Sequence, residues 1–184
     1  MAYSSLILEK KNGVARLTLN RPHVLNATDL ATCREMMGAV EEVERDDSIG
    51  VMILTGAGRA FSAGQDMKEM RQLRVRQPIV VLRSALQALA EMTKPVIAAV
   101  NGPCYTGGMT LIECCDIVLA SDAAVFCDTH ARYGMPGGGG ELTRLPRIIG
   151  LQRAKEVLFT CEPFSPQEAE RIGLVARVVP AAKL

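Results

Sequence analysis

Short apolar runs that lead through glycine into helix-like segments recur along the chain and predict its strands. The runs Val51–Leu54 and Val96–Val100 contain no polar residue. Such continuous runs favour strands that are buried on both faces of a sheet. Asp116–Ala120 and Ala124–Cys127 show a similar character further along the chain. Strands that alternate with helical segments predict an α/β fold.

The N-terminal residues predict a hairpin. Leu6–Glu9 and Val14–Leu19 are suited to strands, and Lys11–Gly13 between them contains the Asn-Gly pair that tight hairpin turns prefer. This pattern adds two strands before the first helix.

Apolar residues at helical spacing predict the main helices. An amphipathic helix is expected from about Thr28–Arg45, and a second helix is expected to follow Pro78, a residue that suits a first helical turn. Gly150–Thr160 is also helical in character. Ser165–Glu168 has the pattern of a capping box, and Gly173 is placed to end the helix that follows.

Composition narrows the class of protein. A chain of 184 residues with 48% hydrophobic residues can bury one sizeable core, so we expect a single domain over residues 1–184. The net charge of +1 provides no basic field for nucleic acid. No apolar run reaches membrane-spanning length and the N-terminus lacks the order of a signal peptide, so we expect a cytoplasmic protein with no membrane partner. The six cysteines form no CxxC pair and there are two histidines, which predicts reduced core thiols and no metal site.

Two glycine-rich segments are candidates for contact with a ligand. Gly107 and Gly108 lie between the strand at Val96–Val100 and the helix-like segment Met109–Cys115. Glycines at such a junction let the backbone approach a ligand and leave outward N–H groups that attract negative charge. The junction can hold an oxyanion, or it can be only a tight turn. The glycine run 137–140 predicts a loop that closely approaches a ligand or another backbone.

Two long motifs in a defined order point to a known family. The motif xFSAGxDxKE occupies Ala60–Glu69, and KPVIAAVNGPxxTGG occupies Lys94–Gly108. Together they resemble the enoyl-CoA hydratase/isomerase family, also called the crotonase family. The turn RPxxxNA at Arg21–Ala27, the CDI at Cys115–Ile117 and the segment Gly150–Val179 extend the resemblance over nearly the whole chain.

The resemblance implies a fold, a substrate class and an oxyanion hole. The implied fold is the crotonase-type α/β spiral of β-β-α units, and the implied substrate is an acyl-CoA thioester, with coenzyme A bound as part of the substrate and no separate cofactor. The two backbone N–H groups of the implied oxyanion hole fall on Gln65 and Gly107. These groups would stabilise negative charge on the thioester oxygen.

The same resemblance implies a binding surface for coenzyme A. The carbonyl of Ala63 would meet the adenine, and the cations of Arg59 and Lys68 would lie near the phosphates. Val24 and Leu25, in the RPxxxNA turn, are the remaining residues of this implied surface.

The chain departs from the family at two positions that matter for hydration. Hydratases of the family usually carry one glutamate three residues beyond the oxyanion-hole glycine and a second near the end of a later strand. Here those positions hold Thr110 and His130. A threonine hydroxyl is a poor base without an activating partner, so we do not expect water addition by the two-glutamate route.

Several residues could replace the glutamates. His130 is suited by its ordinary pKa of about 6.5. The alternative is Glu141, because some isomerases of the family carry their acidic residue in this loop. If neither acts, Glu113 and a water held by Thr110 come next. Asp128 and Tyr133 flank His130 and are second choices.

Two other interpretations stay open. In a thiol mechanism, Cys104 or Cys127 would attack the thioester with His130 as base, as in a Cys-dependent thioester hydrolase. A relative that binds CoA thioesters without catalysis would also fit the loss of both glutamates. Sensitivity to iodoacetamide tests the first interpretation, and turnover of a CoA thioester tests the second.

The resemblance also concerns assembly and the C-terminus. It implies a homotrimer or a dimer of trimers. Family chains continue past the Val-Val-Pro strand with helices that cover the pocket, so we expect this chain to lack that helical lid. Arg71, Arg74 and Arg76 are interpreted as a solvated surface rather than a phosphate grip.

Overall fold

The computed structural model describes residues 3–72 and 76–184, which form eight strands and seven α-helices. The strands are β1 Leu6–Lys11, β2 Val14–Leu19, β3 Val51–Gly56, β4 Val96–Val100, β5 Cys104–Tyr105, β6 Ile117–Ser121, β7 Phe126–Cys127 and β8 Arg177–Val179. The helices are α1 Leu30–Glu44, α2 Met67–Gln72, α3 Arg76–Ala90, α4 Gly107–Ile112, α5 Glu141–Ile149, α6 Leu151–Thr160 and α7 Pro166–Arg171. Short 3-10 turns occupy Pro22–Val24, Ala131–Tyr133 and Ala181–Lys183.

The strands form a large sheet and a small one. The large sheet has the order β1-β2-β3-β4-β6-β8, in which β1 is antiparallel to β2 and the other pairs are parallel. The small sheet pairs β5 with β7 in parallel, and a bridge from Ser62 to Cys104 adds the segment after β3. Each of β3, β4 and β6 is therefore followed by a short stretch of the small sheet and then by a helix. This repeat is the β-β-α spiral that the resemblance implied.

The large sheet is buried on one face. Met52, Leu54 and Ala98 are fully buried and join inward residues of α1 and α3 in one apolar core. Ile53 and Ile97, which alternate with them, are only partly buried. The expectation that these strands are buried on both faces is therefore wrong, because the described helices cover one face of the sheet.

The helix limits largely follow the predicted signals. α1 begins after Asp29, whose Oδ1 accepts hydrogen bonds from the backbone N–H and the hydroxyl of Thr32. α7 begins at Pro166 after Ser165, whose hydroxyl accepts from the N–H of Glu168. The carboxylate of Glu168 contacts Arg171 instead of returning to the cap, so half of the predicted capping box forms.

Other predicted limits need small corrections. The strand expected from Ala124 begins at Phe126, because the N–H of Ala124 donates to the carbonyl of Ser121 and closes a turn. The helix expected to reach Cys115 ends at Ile112. Arg71 is exposed in α2, and Arg74 lies outside the described residues. None of the helices in the described ranges combines the length and hydropathy of a membrane-spanning segment.

Asn26 joins the turn before α1 to the segment after β3. Its side chain is buried, with Oδ1 accepting from the N–H of Arg21 at 3.0 Å and Nδ2 donating to the carbonyls of Ala57 at 2.9 Å and Ala60 at 2.7 Å. Its backbone has a φ of 56°, in the left-handed region that asparagine tolerates better than most residues. One side chain thus satisfies three backbone groups and fixes the loop.

We expect Asn26→Ala to lower the free energy of unfolding by about 2–4 kcal/mol, because it removes three hydrogen bonds to backbone groups that are buried or partly buried. Asn12→Ala is the matched control, since Asn12 has a φ of 53° but is exposed in the hairpin turn. It should cost only about 1 kcal/mol, for the left-handed backbone. Urea unfolding measures both values. Equal losses in the two variants would contradict this role of Asn26.

Candidate active site

The junction between β5 and α4 presents backbone N–H groups. Gly107 is the first residue of α4, and the first helical bond runs from the N–H of Thr110 to the carbonyl of Thr106. The N–H groups that precede Thr110 in the helix therefore have no intrahelical acceptor. Thr106 itself has φ 51° and ψ −106°, a conformation that non-glycine residues rarely adopt. This strained turn aims the start of α4.

A second segment brings another N–H group to the same place. A Cβ added to Gly64, which has a φ of 97°, would lie 3.0 Å from the Gly107 nitrogen, and one added to Gly107 would lie 3.3 Å from the Gln65 nitrogen. The N–H of Thr28 donates to the carbonyl of Gly64, and the N–H of Asp66 donates to the carbonyl of Thr28. These bonds hold Gln65 without using its own N–H.

The two N–H groups are available as a pair. Within residues 3–72 and 76–184, no protein acceptor receives a hydrogen bond from the N–H of Gln65 or of Gly107. Two neighbouring backbone donors from different segments are the arrangement that binds an oxyanion. The structure brings together the residues on which the sequence placed this pair.

His130 is held beside the same turn. β7 pairs with β5, and the N–H of Thr106 donates to the carbonyl of Cys127 at 2.8 Å. The hydroxyls of Thr106 and Thr129 are 2.6 Å apart. Because Thr106 precedes Gly107 and Thr129 precedes His130, these contacts fix the histidine segment against the start of α4.

The imidazole of His130 lies among carboxylates. Nδ1 is 3.0 Å from each carboxylate oxygen of Asp128, which is 1% exposed, and 4.0 Å from Oε1 of Glu141. Burial lowers the pKa of His130, but the hydrogen bond to Asp128 and the charges of Asp128 and Glu141 outweigh burial and raise the pKa above its usual value. The ring can therefore accept and hold a proton near neutral pH.

Glu141 is fully buried beneath the glycine run. Its Oε2 accepts from the N–H of Gly139 at 2.9 Å. A Cβ on Gly137 would lie 1.7 Å from Oε1 of Glu141, and a Cβ on Gly139 would lie 2.7 Å from the methyl group of Thr110. The glycine run was expected to approach a ligand or another backbone. Among the described residues its nearest neighbours are side chains rather than another backbone segment, because the loop wraps around a buried carboxylate. The approach to a ligand stays a prediction.

Thr110 and Glu113 line the inner side of this region. The hydroxyl of Thr110 donates to the carbonyl of Thr106 at 3.3 Å. Glu113 is 6% exposed, and in the described part of the chain neither of its carboxylate oxygens has a hydrogen-bond partner. Burial, followed by the charges of Glu141 and Asp128, raises the pKa of Glu113 well above its usual value. These surroundings favour the protonated form of Glu113.

The residues expected to bind coenzyme A fall into two groups. Leu25 and Ala63 are adjacent, since the N–H of Ala63 donates to the carbonyl of Leu25 at 2.9 Å, and Val24 precedes them in the same turn. No donor among the described residues reaches the carbonyl of Ala63. The side chains of Arg59 and Lys68 are exposed to solvent, before and after this segment in the chain.

Comparison with known proteins connects this geometry to a family. The sequence model for enoyl-CoA hydratase/isomerase matches residues 9–184. The chain is 40% identical to the short-chain-enoyl-CoA hydratase of Clostridium acetobutylicum over 188 aligned positions, which cover 100% of this chain and 72% of that protein. The chain belongs to the enoyl-CoA hydratase/isomerase family.

Other members of the enoyl-CoA hydratase/isomerase family support the same assignment. The crotonyl-CoA hydratase of Syntrophomonas wolfei is 38% identical, with coverage of 100% of this chain and 72% of that protein. The crystal structure of an enoyl-CoA hydratase from Bacillus anthracis matches with a TM-score of 0.94 at 34% identity, covering 97% of this chain and 71% of that chain. The predicted crotonase-type α/β fold is confirmed.

The thiol interpretation finds little support for this member of the enoyl-CoA hydratase/isomerase family. Cys104 is fully buried, and burial followed by the charge of Glu113 raises its pKa well above the usual value. The thiol of Cys127 is buried and donates to the carbonyl of Cys161 at 3.4 Å. Burial also raises the pKa of Cys127. Neither thiol is poised to form the thiolate that attack on a thioester requires.

The sequence-based interpretation gave too little weight to one residue of the site and missed one contact. Asp128 was a second choice, yet it contacts the ring of His130 through both of its oxygens. The Asp-x-His spacing was the available signal, since an aspartate can bond to groups two residues ahead. The contact between Thr106 and Thr129 had no such signal, because it joins residues far apart in the chain. Tyr133, the other second choice, has a side chain that is 59% exposed, and its N–H donates to the carbonyl of His130.

Proposed function

We propose that this protein is an acyl-CoA thioester enzyme that stabilises a thioester enolate. The N–H groups of Gln65 and Gly107 bind the thioester oxygen, and Nε2 of His130 transfers the proton. The observation that carries the proposal is the meeting of two unused backbone donors with a histidine whose segment is tied to theirs. Names of relatives that act on enoyl-CoA and crotonyl-CoA support the substrate class.

The chemistry balances for a double-bond shift. Nε2 of His130 takes a proton from the carbon next to the thioester carbonyl, and the electron pair of the broken C–H bond moves into the enolate. The new negative charge on the oxygen is held by Gln65 and Gly107. The imidazolium then returns the proton to the γ-carbon, and the double bond moves into conjugation with the carbonyl.

Hydration would use the same parts. His130 would take a proton from water while the water oxygen bonds to the β-carbon, and the π electrons would move to the thioester oxygen. The enolate then takes a proton at the α-carbon. One histidine would serve as base and acid, because the hydroxyl of Thr110 is engaged with the carbonyl of Thr106.

The test is turnover of enoyl-CoA thioesters that differ in chain length and double-bond position, with products identified by mass and chromatography. We expect His130→Ala to lower kcat/KM about 10²–10⁴-fold, the range of general acid–base catalysis. Lys155→Ala is the control, because Lys155 is exposed on α6, outside the residues assigned to the site. Its activity should stay close to wild type.

Other outcomes of this test would favour different interpretations of the protein or of the proton-transfer residue. Binding of every thioester without turnover would contradict catalysis. It would favour the interpretation as a protein that binds CoA thioesters without catalysis. Full activity of His130→Ala would show that His130 does not transfer the proton. Loss of activity in Glu141→Ala would then assign the proton transfer to Glu141.

Coenzyme A would bind along the segment 59–68 and the turn at Val24 and Leu25. The carbonyl of Ala63 would receive the adenine amino group, and Arg59 and Lys68 would contact the phosphates. The proposed homotrimer or dimer of trimers and a place in fatty-acid metabolism rest on the family resemblance. Light scattering at the monomer mass would contradict the proposed assembly.

Charge reversal at Lys68 should weaken coenzyme A binding, and the loss should be larger at low salt because screening is weaker there. Lys155→Glu is the control, since Lys155 is an exposed lysine on α6. Titration calorimetry at two salt concentrations measures both dissociation constants. If Lys68→Glu and wild type bind coenzyme A with equal affinity at low salt, Lys68 is not part of the binding site.

A further inference from the structure

Asp128 is placed to control the chemistry of His130. Its Oδ1 accepts from the backbone N–H of His130 at 2.9 Å, and both of its oxygens lie 3.0 Å from Nδ1. The carboxylate is 1% exposed, so water does not compete for it. A buried carboxylate that holds both the backbone and the ring of one residue restricts the orientation of that ring.

The partner of Nδ1 decides which ring nitrogen is free. An ionised carboxylate can only accept hydrogen bonds, so Nδ1 must carry a proton. In the neutral ring the second nitrogen, Nε2, is then an acceptor. No residue in the described ranges bonds to Nε2.

We propose that Asp128 is a positioning residue that fixes His130 as the Nδ1–H tautomer and keeps Nε2 free to take the substrate proton. This inference rests on the proposed function of His130. It replaces the two glutamates of hydratases with an aspartate–histidine pair in which only the histidine touches the substrate.

The residues on either side of Asp128 connect the Asp128–His130 pair to the turn at Thr106. The residue before Asp128, Cys127, accepts the N–H of Thr106, and the residue after it, Thr129, contacts the hydroxyl of Thr106. Thr106 directly precedes Gly107. The imidazole and the two backbone donors therefore keep a fixed relation, which proton transfer at a bound thioester requires.

The charges around the ring favour its protonated form. Asp128 and Glu141 face Nδ1. Burial raises the pKa of Glu113, the residue after α4, and Arg144 on α5 donates to the carbonyl of Gly139. The Asp128 carboxylate raises the pKa of His130, so its removal should lower that pKa. The acid limb of the kcat/KM profile should then move to lower pH.

Asp128→Asn tests the proposal, because an amide oxygen can still accept the backbone N–H of His130 while the charge is lost. We expect kcat/KM to fall at least tenfold, the acid limb to move to lower pH, and the dissociation constant for coenzyme A to stay unchanged. Asp122→Asn is the control, an equal change of charge at an exposed aspartate, and its profile should match wild type.

A spectroscopic readout separates this role from a purely structural one. The chain has two histidines, so ¹⁵N NMR can follow His130 with His23 as internal reference. We expect the neutral ring of His130 in the wild-type protein to carry its proton on Nδ1. In Asp128→Asn we expect His130 to titrate at lower pH than in the wild-type protein. The wild-type tautomer needs no variant and tests the proposal even if Asp128→Asn does not fold.

Two failures can be told apart. A neutral wild-type ring protonated on Nε2, or an unchanged His130 titration in Asp128→Asn, would overturn the role of Asp128 while His130→Ala remains inactive. Full activity of His130→Ala would overturn the proposed function of the histidine itself, whatever the NMR shows.

Discussion

The pairing of two very short strands, β5 and β7, is the constraint on which the site depends. The two residues of each strand carry parallel pairs from Cys104 to Phe126 and from Tyr105 to Cys127. The bridge from Ser62 to Cys104 adds the segment that contains Gln65. Three distant parts of the chain thus meet within a few residues, and each contributes one part of the proposed chemistry. The large sheet is the support from which these segments extend.

Backbone strain is concentrated at this meeting point. Leu25, Asn26 and Thr106 have φ values of 53°, 56° and 51°, in a region that disfavours ordinary side chains. Each is held by contacts that a relaxed backbone would lose: Leu25 accepts from Ala63, Asn26 bonds three backbone groups, and Thr106 bonds Cys127. Strained residues that surrounding bonds maintain are common at active sites. Here the strain sets where the start of α4 and the Ala63–Gln65 segment face each other.

The sequence predicted the parts of the molecule that follow local rules. The apolar runs located the large sheet, and the Asn-Gly and Ser-Pro signals located a turn and a cap. The two motifs pointed to Gln65 and Gly107, whose segments the structure brings together. The sequence failed where burial depends on distant neighbours. Ile53 and Ile97 belong to apolar runs, yet their outer face is not covered by the described helices. The wrapping of the glycine run around the Glu141 carboxylate was likewise not predicted. The contact of Thr106 with Thr129 arises from strand pairing and has no local signal.

Exchange of the α-proton tests the central claim, the stabilisation of an enolate by two backbone donors. A saturated acyl-CoA in D₂O cannot shift a double bond or add water, so deuterium at its α-carbon, followed by mass spectrometry, reports enolate formation alone. We predict exchange above the buffer rate for wild type and for Gln65→Ala, which keeps its N–H. We predict a loss on the order of 10²–10³-fold in Gly107→Pro, which removes the N–H at the first residue of α4. A wild-type protein that binds the thioester and exchanges no α-proton would contradict the account.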